Sequence, residues 1–134
     1  MKDDLRPFFD RYAELYMAGD VEAVADMCDV PFLALRSGIP VHLLDRQAVV
    51  EHFAHNMAGY RSAGAASAAI VEIDVREQGT EAAMVTVHWH VRAANGTMVR
   101  DFHTSYQLVD VDQPRILSYI NHDQVIHEDS IPPG

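Results

Sequence analysis

The segment RYAELYMAGDVEAVADM, residues 11–27, predicts two consecutive helices joined by a tight corner. Gly19 favours the end of the first helix, and Asp20 is placed to cap the start of a short second one. Apolar side chains recur at three- and four-residue steps along one stripe of the first helix: Leu5, Phe8, Phe9, Tyr12, Leu15 and Tyr16. Two tyrosines therefore point towards whatever this helix packs against.

The remainder of the chain predicts a curved sheet under these helices. A short hairpin turns at Ser37-Gly38, and Asp45 is placed to cap a third helix that ends near Tyr60. From Ala69 onwards the apolar period changes to two, which indicates four strands. The expected fold class is α+β, in the order α-α-β-β-α-β-β-β-β. The N-terminal helices are expected to pack on the concave face of a strongly curved antiparallel sheet, around an internal pocket.

Alternation along the four strands predicts which side chains enter the pocket. One face of a half-buried strand is apolar, and the helices are the cover available for that face. The inward side chains are expected to be Ala69, Val71, Ile73, Val75, Val85, Val87, Trp89, Phe102, Thr104, Tyr106, Leu108, Leu117, Tyr119, Asn121 and Asp123. The opposite parity carries four histidines, expected on the outer face: His88, His90, His103 and His122.

Composition limits the kinds of partner. The 134 residues fit one domain, predicted over 1–128 with a frayed tail at 129–134. A formal net charge of -10 repels phosphate backbones and anionic lipid, so neither nucleic acid nor membrane is an expected partner. Cys28 is the single cysteine and cannot form an internal disulfide. Because no signal-like or membrane-spanning apolar run is present, the expected location is the cytoplasm.

Three segments carry a resemblance to a known superfamily: RYAELYMAGDVEAVADM at 11–27, DRQAVVEHF at 45–53 and RILSYINHDQ at 115–124. Together they resemble the nuclear transport factor 2-like proteins, in the SnoaL-like branch, over nearly the whole chain. The resemblance implies a cystatin-like cone of sheet closed by helices, and a homodimer formed through the sheet. It leaves function open, because such proteins include isomerases, dehydratases and polyketide cyclases as well as noncatalytic binding and association domains.

A more distant similarity to ketosteroid isomerases allows a comparison residue by residue. Tyr12 matches the tyrosine that helps to stabilise an enolate in those enzymes. The general base of the isomerases falls on Arg36, and their second oxyanion-hole acid falls on Thr104. A guanidinium stays protonated near neutral pH and cannot take a carbon-bound proton. We therefore do not expect ketosteroid isomerisation.

The inward polar and aromatic groups form a candidate site for a small, largely apolar organic molecule. Asp123 is the one carboxylate expected on the inner face, where burial would raise its pKa, and SnoaL-like cyclases are similar in relying on a pocket acid. The predicted catalytic residues are Asp123 and Tyr12, and the predicted ligand-binding residues are Tyr16, Arg36, Trp89, Thr104, Tyr106, Tyr119 and Asn121. The corresponding chemistry is a cofactor-independent reaction of the isomerase, cyclase or lyase type.

Two alternatives stay open for this site. Asp123 can lie at the open end of the last strand, solvated or paired with Arg36, while the tyrosines simply pack with their hydroxyls satisfied. The chain can also be a noncatalytic ligand-binding or dimerisation module that uses the same cavity or the outer face of the sheet.

The four outward histidines are open to a metal interpretation. His88 and His90 form a His-x-His pair that resembles the cupin metal motif, but that motif has a glutamate soon afterwards, and here the chain continues VRAANG. We interpret the histidines as a polar dimer surface and predict no metal site. Since no glycine-rich phosphate loop is present either, we predict no cofactor. The expected partners are a small organic ligand and a second copy of the chain.

Overall fold

Helices and strands follow one another in the order that the sequence predicts. The structure, a computed structural model, describes residues 2–110 and 112–125, so the predicted tail at 129–134 lies outside the described residues. The elements are α1 Lys2–Ala18, α2 Val21–Asp26, β1 Cys28–Arg36, β2 Ile39–Leu43, α3 Arg46–Ser62, β3 Ala65–Gln78, β4 Ala82–Ala93, β5 Met98–Val109 and β6 Arg115–Val125. The predicted α+β class is confirmed.

The six strands form one curved sheet in the order β2-β1-β6-β5-β4-β3. Neighbouring strands pair antiparallel, except that β1 pairs parallel with β6. The sheet is therefore mixed, whereas the sequence predicts an antiparallel one. The parallel pair joins the N-terminal hairpin to the four-strand meander, and it makes β6 an interior strand with a neighbour on each side.

Local chemistry explains where the helices begin and turn. The Asp20 carboxylate accepts a hydrogen bond from the Ala23 amide at 3.2 Å, and the Asp45 carboxylate accepts one from the Ala48 amide at 2.9 Å. Each such N-cap stabilises a helix by about 1 kcal/mol. Gly19 adopts a φ of 73°, in the left-handed region that favours glycine. The predicted corner between α1 and α2 is confirmed.

The helical layer packs on the concave face of the sheet through an aromatic contact. Helix α1 contacts β3, and its Phe9 ring lies 4.8 Å from the Tyr106 ring of β5, centroid to centroid. Val85 and Val87 of β4 are fully buried in the same core. Full burial of one such side chain is worth about 1.5–3 kcal/mol. In the part of the chain that is described, no helix is long and apolar enough to cross a bilayer.

Strand β3 departs from the predicted alternation. It begins at Ala65 rather than Ala69, and its pairing with β4 shifts between Ile70 and Glu72, so one additional residue is present on β3. Such a bulge reverses the side-chain parity. Val71 is 48% exposed, and the prediction that Ala69 and Val71 face inward is wrong.

Strand β6 carries two shifts against β5, near its beginning and near its end. The first places Ile116 in the core and leaves Leu117 only partly buried, so the inward prediction for Leu117 is wrong. Between these two shifts the alternation is regular, and Tyr119 is buried as predicted. The second shift involves Asp123 and changes the composition of the candidate site.

Candidate functional site

A cavity of about 300 Å³ lies between the helices and the concave face of the sheet. Its wall contains all the predicted site residues except Asp123. The lining side chains come from α1, β1, α3 and β3–β6: Tyr12, Ala13, Tyr16, Met17, Arg36, Phe53, His55, Asn56, Tyr60, Ala68, Trp89, Val91, Val99, Arg100, Phe102, Thr104, Tyr106, Tyr119 and Asn121.

The wall is rich in rings that end in polar groups. Every tyrosine of the sequence and its single tryptophan line this one cavity. The Tyr12 ring lies at the centre of the cluster, 5.5 Å from Tyr16, 5.7 Å from Tyr106 and 6.4 Å from Trp89. Their four-residue spacing on α1 puts Tyr12 and Tyr16 on the same side of the helix. The cavity can thus enclose a flat apolar body.

The hydroxyls of Tyr12, Tyr16 and Tyr106 act as hydrogen-bonding groups and not as bases. Burial raises the pKa of Tyr12, Tyr16 and Tyr106 above the ordinary value. The hydroxyls therefore keep their protons at neutral pH. The Trp89 indole N–H donates to the Tyr106 hydroxyl at 3.1 Å, which orients that hydroxyl within the cluster.

Two guanidinium groups give the cavity a positive charge. Arg36 Nη1 donates a hydrogen bond to Asn56 Oδ1 at 3.2 Å. Arg100 donates to the Tyr60 hydroxyl at 2.9 Å and lies over the Phe102 ring at 4.1 Å. Among the described residues, none that lines the cavity is acidic. The described part of the cavity wall therefore carries positive charge, in a chain whose formal net charge is -10.

A histidine forms a hydrogen bond with the Tyr119 hydroxyl. His52 Nε2 lies 2.6 Å from the Tyr119 oxygen, and the Asn56 amide nitrogen lies 3.4 Å from that oxygen. Burial lowers the pKa of His52, and the charge of Arg36 lowers it further. Burial also raises the pKa of Tyr119. Both groups are therefore neutral at neutral pH, and a His52 tautomer with its proton on Nδ1 accepts the hydrogen bond from Tyr119.

Asp123 does not lie in the cavity. Its φ of 49° and the second register shift of β6 turn its side chain outward, where it is 76% exposed. Its carboxylate accepts a hydrogen bond from His122 Nδ1 at 2.8 Å, and this contact lowers its pKa rather than raising it. The prediction that Asp123 is a buried pocket acid is wrong. After the bulge, Gln124 accepts a hydrogen bond from Arg100 Nε at 3.2 Å.

Several groups of the site are not among the residues predicted from the sequence. Arg100 has the same parity as Phe102 on β5, so the alternation could have been followed one step further to find it. His52, Asn56 and Tyr60 recur every four residues on α3, which places them on one side of that helix. That spacing was a usable signal, but it did not show which side faces the sheet.

The family model of NTF2-like proteins named DUF6841 matches residues 3–124. This range includes both the helical corner and the last strand, and it covers almost all of the described chain. The chain belongs to the DUF6841 family of NTF2-like proteins. The superfamily resemblance is therefore confirmed for this DUF6841 protein, while the narrower SnoaL-like assignment stays a prediction. No curated protein sequence matches the chain.

Solved structures share the fold of this DUF6841 protein at low sequence identity. An NTF2-like protein from Novosphingobium aromaticivorans is 17% identical, with a TM-score of 0.70 over 99% of this chain and 82% of that one. Aln2 from a Streptomyces species is 18% identical, with a TM-score of 0.70 over 90% and 89%. An NTF-2-like protein of unknown function from Shewanella oneidensis is 15% identical, with a TM-score of 0.71 over 91% and 98%. These similarities show the cystatin-like fold and carry no assignment of function.

The lowered pKa of His52 predicts a pH dependence of stability. An unfolded histidine has a pKa of about 6.5, so as the pH falls the unfolded state takes up this proton before the folded state does. The contribution of neutral His52 to the free energy of unfolding is therefore complete above about pH 6.5 and decreases as the pH falls below that value. We expect the fall in melting temperature between about pH 7.5 and pH 5.5 to be smaller in His52→Gln than in the wild type.

His42→Gln is the matched control for that prediction, because His42 is an exposed histidine on β2. It should keep the wild-type pH dependence. Equal pH dependence of His52→Gln and His42→Gln, measured by thermal unfolding in the same buffers, would contradict the assignment of a partly buried, neutral imidazole to His52.

Proposed function

We propose that this protein binds a small organic anion with a flat, largely apolar body in the central cavity. The observation that carries the proposal is the composition of the wall: all five tyrosines and the tryptophan, with Arg36 and Arg100 and no acidic lining residue in the described chain. The rings supply apolar contact, and the guanidinium groups supply a place for negative charge.

Electrostatics favour an anionic ligand over a neutral one. A guanidinium in a partly enclosed site loses part of its solvation, and a carboxylate can bind it through two parallel hydrogen bonds. Arg36 and Arg100 are both partly buried, and each is oriented by a cavity-lining side chain, Asn56 or Tyr60. A volume of about 300 Å³ is at the lower end of the usual range for ligand pockets, about 300–1,000 Å³. We therefore propose a ligand of one or two fused rings.

Binding of 2-naphthoate, compared with its neutral analogue 2-naphthamide, tests this proposal. We expect calorimetry or ligand-observed NMR to give the carboxylate a higher affinity than the amide in the wild type. A hydrogen bond to a charged group is worth about 1.5–3 kcal/mol, so this preference should fall about 10- to 100-fold in Arg36→Gln and in Arg100→Gln.

Arg76→Gln is the control, because Arg76 on β3 is 82% exposed and lies outside the cavity. It should bind both probes as the wild type does. The proposal is contradicted if neither probe binds the folded wild type at millimolar concentration. It is also contradicted if the amide binds as tightly as the carboxylate, or if both cavity variants behave like Arg76→Gln.

Cofactor-free acid/base chemistry is a second candidate function, and its support is the contact between Tyr119 and His52 of 2.6 Å. The raised pKa of Tyr119 and the lowered pKa of His52 oppose a free phenolate. The Tyr119 oxygen would therefore take a proton from the carbon next to a ligand carbonyl while its own proton passes to His52 Nε2, which forms an enolate beside the Arg36 charge. Return of a proton to the carbon restores all groups.

Deuterium exchange into 2-tetralone, followed by NMR in D₂O, separates this chemistry from simple binding. A catalyst should exchange the protons next to the carbonyl faster than buffer does, and both Tyr119→Phe and His52→Gln should lose the acceleration. His42→Gln should keep it. Exchange at the buffer rate with the ketone bound to the wild type would exclude the acid/base role and leave a noncatalytic binding module.

A further inference from the structure

The outer face of the sheet carries a cluster of metal-binding side chains remote from the cavity. It consists of His88 and His90 on β4 and Asp101 on β5. Each residue offers one ligand atom, and the three atoms lie within 4.8 Å of one another. The geometry points to a binding site for one divalent transition-metal ion of the Zn²⁺ type, held by two imidazoles and one carboxylate.

Strand pairing explains why these three side chains meet. His88 and His90 are two residues apart, so they lie on the same face of β4. Asp101 is directly opposite His90 in the antiparallel pair and diagonally opposite His88. The three side chains therefore project from one small area of two paired strands, which is a rigid support for a ligand set.

The ligand atoms are in direct contact in the structure. His88 Nε2 lies 2.6 Å from Asp101 Oδ1, and His90 Nε2 lies 3.3 Å from Asp101 Oδ2. In a tetrahedral site with bonds of about 2.0–2.2 Å, ligand atoms are about 3.3–3.5 Å apart. An ion would therefore replace the hydrogen bond between His88 and Asp101, and these two atoms would move apart to coordinate it.

Charge and burial also favour a cation here. Asp101 is only 5% exposed, although it lies on the outer face. A divalent ion bound at this place would put positive charge directly beside the carboxylate. The net charge of -10 further favours the approach of a cation.

Neighbouring side chains can support the imidazole ligands. The His103 ring stacks on the His88 ring at 4.3 Å with an interplanar angle of 12°. Glu72 pairs with His88 on the opposite side, from β3. The cupin motif has a glutamate soon after its second histidine, and the segment after His90 contains none. In this protein the carboxylate comes instead from Asp101 on the next strand, and this proposal replaces the prediction of no metal site.

Titration of untagged, chelator-treated protein with Zn²⁺ tests the proposal. We expect calorimetry to show one equivalent of Zn²⁺ bound, and Mg²⁺ at the same concentration to show none, because two imidazoles favour zinc over magnesium. Co²⁺ should give visible absorption bands that Zn²⁺ displaces. Removal of a residue that only hydrogen-bonds to a metal ligand lowers metal affinity about 10- to 100-fold. Because His88 and His90 are proposed as direct ligands, His88→Ala and His90→Ala should each weaken Zn²⁺ binding at least tenfold.

His42→Ala, which removes an exposed histidine from β2, should bind Zn²⁺ as the wild type does. Asp101→Asn should also weaken binding, and the two histidine variants keep the test valid if Asp101→Asn fails to fold. The proposal is overturned if the folded wild type binds no Zn²⁺, or if His88→Ala and His90→Ala bind it as tightly as His42→Ala.

Discussion

The contact of Tyr12 with Trp89 and Tyr106 is the constraint on which the rest of the site depends. Helix α1 brings one large ring onto the concave face, and that ring meets two others at centroid distances of 6.4 and 5.7 Å. These rings line the cavity that lies between α1, α3 and the sheet. Burial of the same rings keeps the tyrosines protonated, so hydrogen-bond donors and acceptors line that space.

Regular strands could be predicted from the sequence, and bulged strands could not. Along β4 and the second half of β5 the alternation is uninterrupted, so Trp89, Thr104 and Tyr106 lie where their parity places them. A bulge is a property of the pairing between two strands, and the sequence of one strand does not reveal it. For this reason the alternation predicts the wrong face for Val71 and Asp123.

The helical part of the site was predictable only in part. The stripe on α1 identified Tyr12 and Tyr16, because its apolar side is unambiguous. The polar residues on α3, His52 and Asn56, entered the site through tertiary packing that no local period specifies. A homodimer through the sheet, a cytoplasmic location and the SnoaL-like branch stay predictions, since they depend on partners, targeting or closer relatives and not on the fold.

Strands β4 and β5 serve two chemical environments at once. Their inward-facing residues contribute rings and Arg100 to the cavity, and their outward-facing residues contribute the imidazoles and Asp101 of the proposed metal site.

The central claim is that the inner environment is an open, cationic, ring-lined cavity. A crystal structure grown with 2-naphthoate tests it most directly. We predict ring density beside Trp89 and Tyr12, with the carboxylate within hydrogen-bonding distance of Arg36 or Arg100. A collapsed interior, with tyrosine rings filling the space and no ligand density, would contradict the account.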